Sequence, residues 1–338
     1  MEKRKILITL AAFMMAGGLL AGCSSGSSGS SASSSSKTAA NSSSSTTSFK
    51  KNSTNDAKKD PSLSTTLKET QSKFKQYTYK DSKTGVSLKY NLYVPTNYNK
   101  KTSYPLVSFI HDDSITGKST TASLTQGYGG VIWATPSEQA KHASFVFVPT
   151  FSTSTISGGM NQFGSSVVKK NVQTYLDLLS NLESKYNINK NRLYGTGQSM
   201  GGMTMFYLNS HYPKLFAATL YVASQWETNQ LSALKNQKFF YIVAGGDSTA
   251  STGQKDLMAM LDKDKVSYTH QTLSAQSSDA KKNQVVNQMI SQNKNANFIT
   301  WTKGSVLSGI GQTMEHMASF NYGYTIPSVR DWLFNQSK

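Results

Sequence analysis

The stretch Leu193-Tyr194-Gly195-Thr196-Gly197-Gln198-Ser199-Met200-Gly201-Gly202 changes character at its centre. Up to Gly197 it reads as a strand, and Met200–Tyr212 beyond it reads as a helix. The pattern Gly197-x-Ser199-x-Gly201 fits a turn in which a strand bends sharply into a helix and lifts a serine above the sheet edge. Glycines are required there because the turn is strained, and side chains would collide with the adjoining strand and helix. The bare pattern is weak, since a glycine-rich turn without chemistry also produces it. Strand before and helix after give it weight.

The flanking sequence extends the alternation. Lys75–Lys80 and Val86–Val94 alternate β-branched and aromatic residues and predict an antiparallel pair, with Lys83-Thr84-Gly85 near the turn. Pro105–His111 and Ser144–Pro149 are short apolar runs of the buried-strand kind. Apolar residues at 168, 172, 175, 176, 179, 182 and 186 have helical spacing and one buried face. Further strands are expected at Arg192–Gly197, Ala217–Val222, Lys238–Ala244 and Asn297–Thr302, with strand-like alternation at Val266–Leu273. Helices are expected at Lys255–Leu261, Ala280–Ser291 and Ile326–Phe334. Strands separated by helices imply βαβ units around a mainly parallel sheet, and no internal repeat is present. The fold class is α/β, a single domain spanning residues 70–338.

Two more places carry chemistry. Asp247 stands directly beyond the apolar run Phe239–Ala244 and after Ser199 in the chain, where a third member of a serine–histidine–acid set belongs. It reads equally as the cap of the segment that follows. Further candidate acids between Ser199 and the last histidine include Glu227, Asp256, Asp262, Asp264 and Asp279, and none follows a strand so directly. Of five histidines, only His270 and His316 come after Asp247. His270 falls in strand-like alternation, whereas His316, in Gly311-Gln312-Thr313-Met314-Glu315-His316-Met317, reads as a loop residue able to reach the serine.

From Tyr90 to the C-terminus the chain resembles the α/β-hydrolase superfamily. Within it, the chain is similar to the esterase branch of polyhydroxybutyrate-depolymerase-like, feruloyl-esterase-like and prolyl-oligopeptidase-type hydrolases. The resemblance is carried by Asn91–Pro95, Tyr104–His111, Ser144–Pro149, Tyr186–Tyr194, Gly197–Gly202, Asp247, His316 and Trp332-Leu333. It implies an α/β-hydrolase fold, a triad of Ser199, Asp247 and His316, and hydrolysis of carboxylic esters through an acyl-enzyme, with no cofactor and no metal. The substrate implied is a small-molecule or carbohydrate-linked ester. An oligopeptidase-type peptidase with the same triad and a catalytically silent binding lipoprotein are the alternatives.

The oxyanion of such a reaction needs two backbone N–H donors. Met200, directly after the nucleophile, would supply one, with Gln198 on its other side lining the site. The second should come from His111-Asp112-Asp113-Ser114. The family pattern there is His-Gly followed by further glycine, so Asp112 and Asp113 are a departure. Two carboxylates beside a developing oxyanion oppose it unless they point away or are neutralised. Either they select hydroxyl-rich or cationic substrates, or they shape the loop through bonds to backbone. The glycine- and aromatic-rich Leu124–Ala134 reads either as pocket lining or as a loop entering a helix.

The N-terminus reads as an address. Lys3, Arg4 and Lys5 precede an apolar run, Ile6–Leu20, too short to span a bilayer and suited to a signal peptide, residues 1–22. The run ends Leu20-Ala21-Gly22-Cys23, and Cys23 is the only cysteine. This resembles the lipobox of bacterial lipoproteins, which implies lipidation at Cys23 and anchoring to the outer face of a cell membrane, most simply of a Gram-positive cell. Residues 23–69 are a Ser-rich segment that cannot bury enough apolar surface to fold and would span roughly 35–40 Å as a tether.

A lone cysteine excludes a disulfide scaffold and any multi-cysteine metal site. The net charge of +17 points towards nucleic acid, yet only 16% of residues are charged, so the chain is poor in acids rather than rich in bases. Residues 1–23 hold +2 and 24–70 hold +3, leaving +12 on the rest. No basic stripe with interleaved aromatics appears, so a nucleic-acid partner is not expected. No clustered His/Asp/Glu motif suggests a metal.

Overall fold

The computed structural model describes residues 62–157, 166–308 and 313–338. The expected signal peptide, Cys23 and nearly all of the Ser-rich segment therefore lie outside the described residues. Nine strands form one sheet among the described residues: β1 Lys75–Lys80, β2 Ser87–Tyr93, β3 Tyr104–Ile110, β4 Phe145–Thr150, β5 Ile188–Gln198, β6 Ala218–Val222, β7 Phe239–Ala244, β8 Tyr268–Leu273 and β9 Ala296–Trp301. Their order is β1-β2-β4-β3-β5-β6-β7-β9-β8. β1 pairs antiparallel with β2, and β2 antiparallel with β4, while every other pairing is parallel.

The helices are α1 Leu63–Thr70, α2 Ala122–Thr125, α3 Pro136–Lys141, α4 Lys169–Lys185 and α5 Met200–His211, followed by α6 Ser248–Lys263, α7 Asp279–Ile290, α8 Glu315–Tyr324 and α9 Pro327–Phe334. No helix of the described residues is long and apolar enough to cross a membrane.

The interior strands are apolar on both sides because both sides are covered. In β7, Phe240, Ile242 and Ala244 face one core with α7, α8 and α9, while Phe239, Tyr241 and Val243 face the other with α4, α5 and α6. On α4 the expected stripe is buried at Val172, Tyr175, Leu179 and Leu182, with Leu178 added. Each such side chain contributes about 1.5–3 kcal/mol on burial.

Connections from the two adjacent strands β3 and β5 run to opposite sides of the sheet, β3 leading to β4 and β5 to β6. In open parallel sheets the crevice beyond the C-terminal ends of two such strands is where ligands bind. Ser199 and the Asp112-Asp113 loop both sit at that crevice.

Four expectations change. First, α1 forms where the Ser-rich composition predicted tether. Ser62 accepts a hydrogen bond from the Thr65 N–H as its cap, Thr66 and Thr70 are buried, and Leu63 and Leu67 dock on the core that includes Phe74. So short a helix is marginal alone and is held by this contact. Second, α6 begins at Ser248 rather than Lys255, because Asp247 caps it. Third, the C-terminal region holds two helices, and His316 lies in the first turn of α8 rather than in a loop. Gly323 does not break α8, since a Cβ there would come within 2.6 Å of Val222 on β6, so packing demands glycine. Fourth, Leu124–Ala134 is core, not pocket lining, over most of its length. Leu124, Tyr128 and Val131–Ala134 are buried, and the Trp133 indole N–H donates to the Gly129 carbonyl.

Candidate active site

Ser199 follows the last residue of β5 and has φ +50°, ψ −120°, a conformation that non-glycine residues rarely hold. Crowding enforces it. A Cβ on Gly197 would lie 2.4 Å from the Gly201 carbonyl carbon, and one on Gly201 would lie 2.0 Å from the Ile110 carbonyl oxygen of β3. The Ser199 N–H donates to the Val222 carbonyl at 3.1 Å, and the Ser224 hydroxyl donates to the Ser199 carbonyl at 3.0 Å. These bonds to β6 and the turn beyond it hold the strained turn.

The structure brings Ser199, His316 and Asp247 into one hydrogen-bonded line. His316 Nε2 lies 3.0 Å from Ser199 Oγ, and His316 Nδ1 lies 2.6 Å from Asp247 Oδ2. Ser199 is 4% exposed, while the His316 ring keeps 22% of its side-chain surface open. Asp247 is buried and uses both oxygens. Oδ2 meets the imidazole, and Oδ1 accepts the Ala250 N–H at the start of α6. The cap and triad readings of Asp247 are therefore compatible, because a carboxylate has two acceptor atoms. His270 stands on the edge strand β8, exposed, and bonds Thr300.

Sequence reasoning passed over Glu315. Its Oε2 accepts the Gly246 N–H at 2.9 Å and its Oε1 accepts the Gly304 N–H at 2.6 Å. One buried carboxylate thus ties the start of α8, the turn bearing Asp247, and the turn after β9 together. The only signal in the sequence is an acid beside the histidine. Glu315→Ala leaves two N–H donors without their acceptor and frees the helix carrying His316. We expect stability to fall by about 1–3 kcal/mol and kcat to fall at least ten-fold with KM little changed. Urea unfolding and steady-state kinetics measure both.

The corner where an oxyanion is expected holds a second network. Met200 is the first residue of α5, so its N–H has no intrahelical acceptor. Asp112 is fully buried at the end of β3. Its Oδ1 accepts the Ser114 N–H at 2.6 Å, and its Oδ2 accepts the Gln126 amide. Gln126 also donates to Ser114 Oγ at 3.1 Å and accepts from Gln198 Nε2 at 2.9 Å. Asp112 is therefore turned to its own loop, the backbone-shaping alternative. Asp113 is half-buried and accepts the Thr116 hydroxyl at 3.3 Å. With Ser114's N–H taken, the Asp112 and Asp113 N–H groups remain, and neither donates within the described protein.

His111 anchors the loop from beneath. Its Nε2 accepts the Phe151 N–H at 3.0 Å, which leaves Nδ1 as the donor to the Asp112 carbonyl at 2.6 Å. Burial holds the imidazole below its ordinary pKa against the opposing pull of Asp112 and Asp113. The neutral ring belongs to the fold, and the unfolded chain binds a proton more readily. Stability from this residue is then complete above pH ~6.5 and is lost as pH falls below it, at up to ~1.4 kcal/mol per pH unit. Urea unfolding between pH 7 and pH 5 should show this slope in the wild type and a shallower one in His111→Gln.

Among the described residues, Glu138, His142 and Asp331 bring possible metal-ligand atoms within 4.8 Å of one another. They lie apart from Ser199 and are engaged by partners within the protein instead. Arg330 sits 3.0 Å from Glu138, and His142 sits 2.9 Å from Asp331. The sequence pattern did not signal this trio, because its members are far apart in the chain.

The Esterase family model matches residues 82–309, about two thirds of the chain. The chain belongs to the Esterase family. Among solved structures, this Esterase-family chain is similar to a thermostable esterase, with 22% identity and a TM-score of 0.63 over 79% of this chain and 64% of that one. It spans less than two thirds of that esterase. It is also similar to the feruloyl esterase module from Clostridium thermocellum complexed with sinapinate, at 14% identity and a TM-score of 0.50 over 76% of this chain and 87% of that one. A ferulic acid esterase matches at 12% identity and a TM-score of 0.50 over 76% and 98%. At these identities the likeness establishes the α/β-hydrolase fold. No curated protein sequence matches significantly.

Proposed function

We propose that the protein is a serine carboxylesterase, held on the outer face of a bacterial cell membrane by a lipid at Cys23. What carries the reading is the line Ser199 Oγ–His316 Nε2–His316 Nδ1–Asp247 Oδ2 beneath a strained serine turn. Membership of the Esterase family supports it. Ser199 Oγ attacks the ester carbonyl carbon while His316 Nε2 takes the hydroxyl proton, and Asp247 holds the tautomer and stabilises the imidazolium. The tetrahedral oxyanion is met by the Met200 N–H and by Asp112 or Asp113 N–H. Collapse breaks the ester C–O bond, and His316 returns its proton to the departing alcohol. Water, deprotonated by His316, then attacks the acyl-serine and releases the acid.

The substrate is a small-molecule or carbohydrate-linked ester. The exposed Met314 immediately precedes the helix bearing His316 and offers apolar surface for an acyl or aryl group, while the buried Phe320 ring backs the imidazole edge-on at 5.2 Å. A fluorophosphonate probe should label Ser199, and p-nitrophenyl esters should turn over while aminoacyl nitroanilides do not. Turnover of the nitroanilides alone would favour the peptidase, and absence of labelling would favour the silent binding protein. Palmitate incorporation by the wild type but not by Cys23→Ser tests the anchor.

A further inference from the structure

The +12 left on the folded part is not spread evenly. Strands β3 to β9 all run the same way, so the molecule has two edges, the C-terminal one bearing Ser199 and the N-terminal one opposite. The side chains at the N-terminal edge are those in the loops entering the strands, on the last turns of the helices leading to them, and at the chain end. They include sixteen Lys and Arg against five Asp and Glu. The edge bearing Ser199 holds ten against nine. Almost the whole surplus therefore faces away from the site.

Four of the five acids are already engaged, Glu138 by the buried Arg330, Glu183 by Lys190, Asp264 by Lys235 and Asp331 by Lys141 with His142. Lys100, Lys185, Lys238 and Lys338 form no salt bridge within the described residues. Lys100 and Lys185 are exposed, and Lys238 and Lys338 donate only to backbone carbonyls. Two hollows meet at Lys238. One of about 430 Å³ also has Lys294, and one of about 600 Å³ also has Lys214 and Lys338. Tyr212, 40% exposed, lies immediately before the loop into β6 and lines a further hollow with Lys83, Lys169 and Lys170. Tyrosine of this kind suits a lipid–water boundary.

We infer that this N-terminal edge docks on an anionic phospholipid bilayer and so turns Ser199 away from the membrane. The chain enters the sheet at Lys75, which pairs with Leu92 at this same edge. The residues before it lead back to Cys23. That choice of a bilayer over another polyanion rests on the proposed anchor. A lipid at Cys23 would supply proximity, and the basic face would supply orientation over a Debye length of about 8 Å.

The test uses the full chain as Cys23→Ser, which removes the lipid and leaves the face. The protein should sediment with vesicles containing one-third phosphatidylglycerol, not with phosphatidylcholine alone, and should be released by 0.5 M salt. Each basic side chain near such a surface contributes about five-fold in partition, so Lys214→Gln, Lys238→Gln and Lys294→Gln together should weaken binding about a hundred-fold. Lys118→Gln, Lys255→Gln and Lys303→Gln, away from that edge, should not. Lys100→Gln, Lys101→Gln and Lys185→Gln, all exposed, form a second set if the first melts early.

Four results would overturn the inference: equal binding to neutral vesicles, equal loss from the control triple, complete loss on neutralising Lys50, Lys51, Lys58 and Lys59, or tighter binding to polyphosphate or duplex DNA at equal phosphate. A wild type that takes up no palmitate refutes the anchor, while the vesicle series still reads the face.

Discussion

Ser199→Ala removes ester turnover to within assay background while leaving the urea midpoint near that of the wild type. The substitution deletes one oxygen, the one 3.0 Å from His316 Nε2, and leaves the strained turn with its glycines and its bonds to Val222 and Ser224 in place. Loss of a serine nucleophile costs about 10⁶ in kcat where the three groups act as a unit. The oxyanion donors survive, so residual acceleration of about 10³–10⁴ over water is the most that should remain. Alanine at φ +50° is as strained as serine there, so no compensating stabilisation is expected. Activity within ten-fold of wild type would remove Ser199 from the mechanism.

Asp247→Asn separates the two tasks of one side chain. Asparagine keeps an oxygen for the Ala250 N–H, so the cap of α6 persists and stability changes little. Its NH₂ then faces His316 Nδ1, which forces the proton onto Nε2 and leaves no base for Ser199. Such a swap costs about 10⁴ in kcat with little change in geometry. Asp247→Ala loses the same activity and also the cap, about 1 kcal/mol of stability. Circular dichroism in urea beside steady-state kinetics reads both. Asparagine with near wild-type kcat would leave Asp247 a cap only.

Legibility in the sequence followed how local each cause is. β7 was legible because six consecutive apolar residues admit burial on both faces, and the structure places Phe239–Ala244 in a central strand. The serine turn was legible because its glycines answer to clashes within a few residues and with the adjacent strand. The start of α6 was legible only as the cap reading of Asp247, because Gly253 is a poor helix former whose close approach to Gln225 exists only in the folded chain. The role of Gln126 was hidden for a different reason. It acquires meaning only when the loops after β3 and before α5 meet, so that one amide bridges Asp112 and Gln198.

The sequence by itself determined a mainly parallel α/β sheet, the serine at its strand-to-helix turn, and the order serine, acid, histidine along the chain. Apolar periodicity and glycine placement express these, and both act over short range. Only the tertiary structure decided which acid and which histidine lie in line with Ser199, that the two oxygens of Asp247 meet the Ala250 N–H and the His316 imidazole, and that Glu315 clamps the turns around it. It also decided that most of the +12 on residues 71–338 gathers on the edge opposite the site. Those outcomes depend on distances between residues tens to more than a hundred positions apart, which no local pattern encodes.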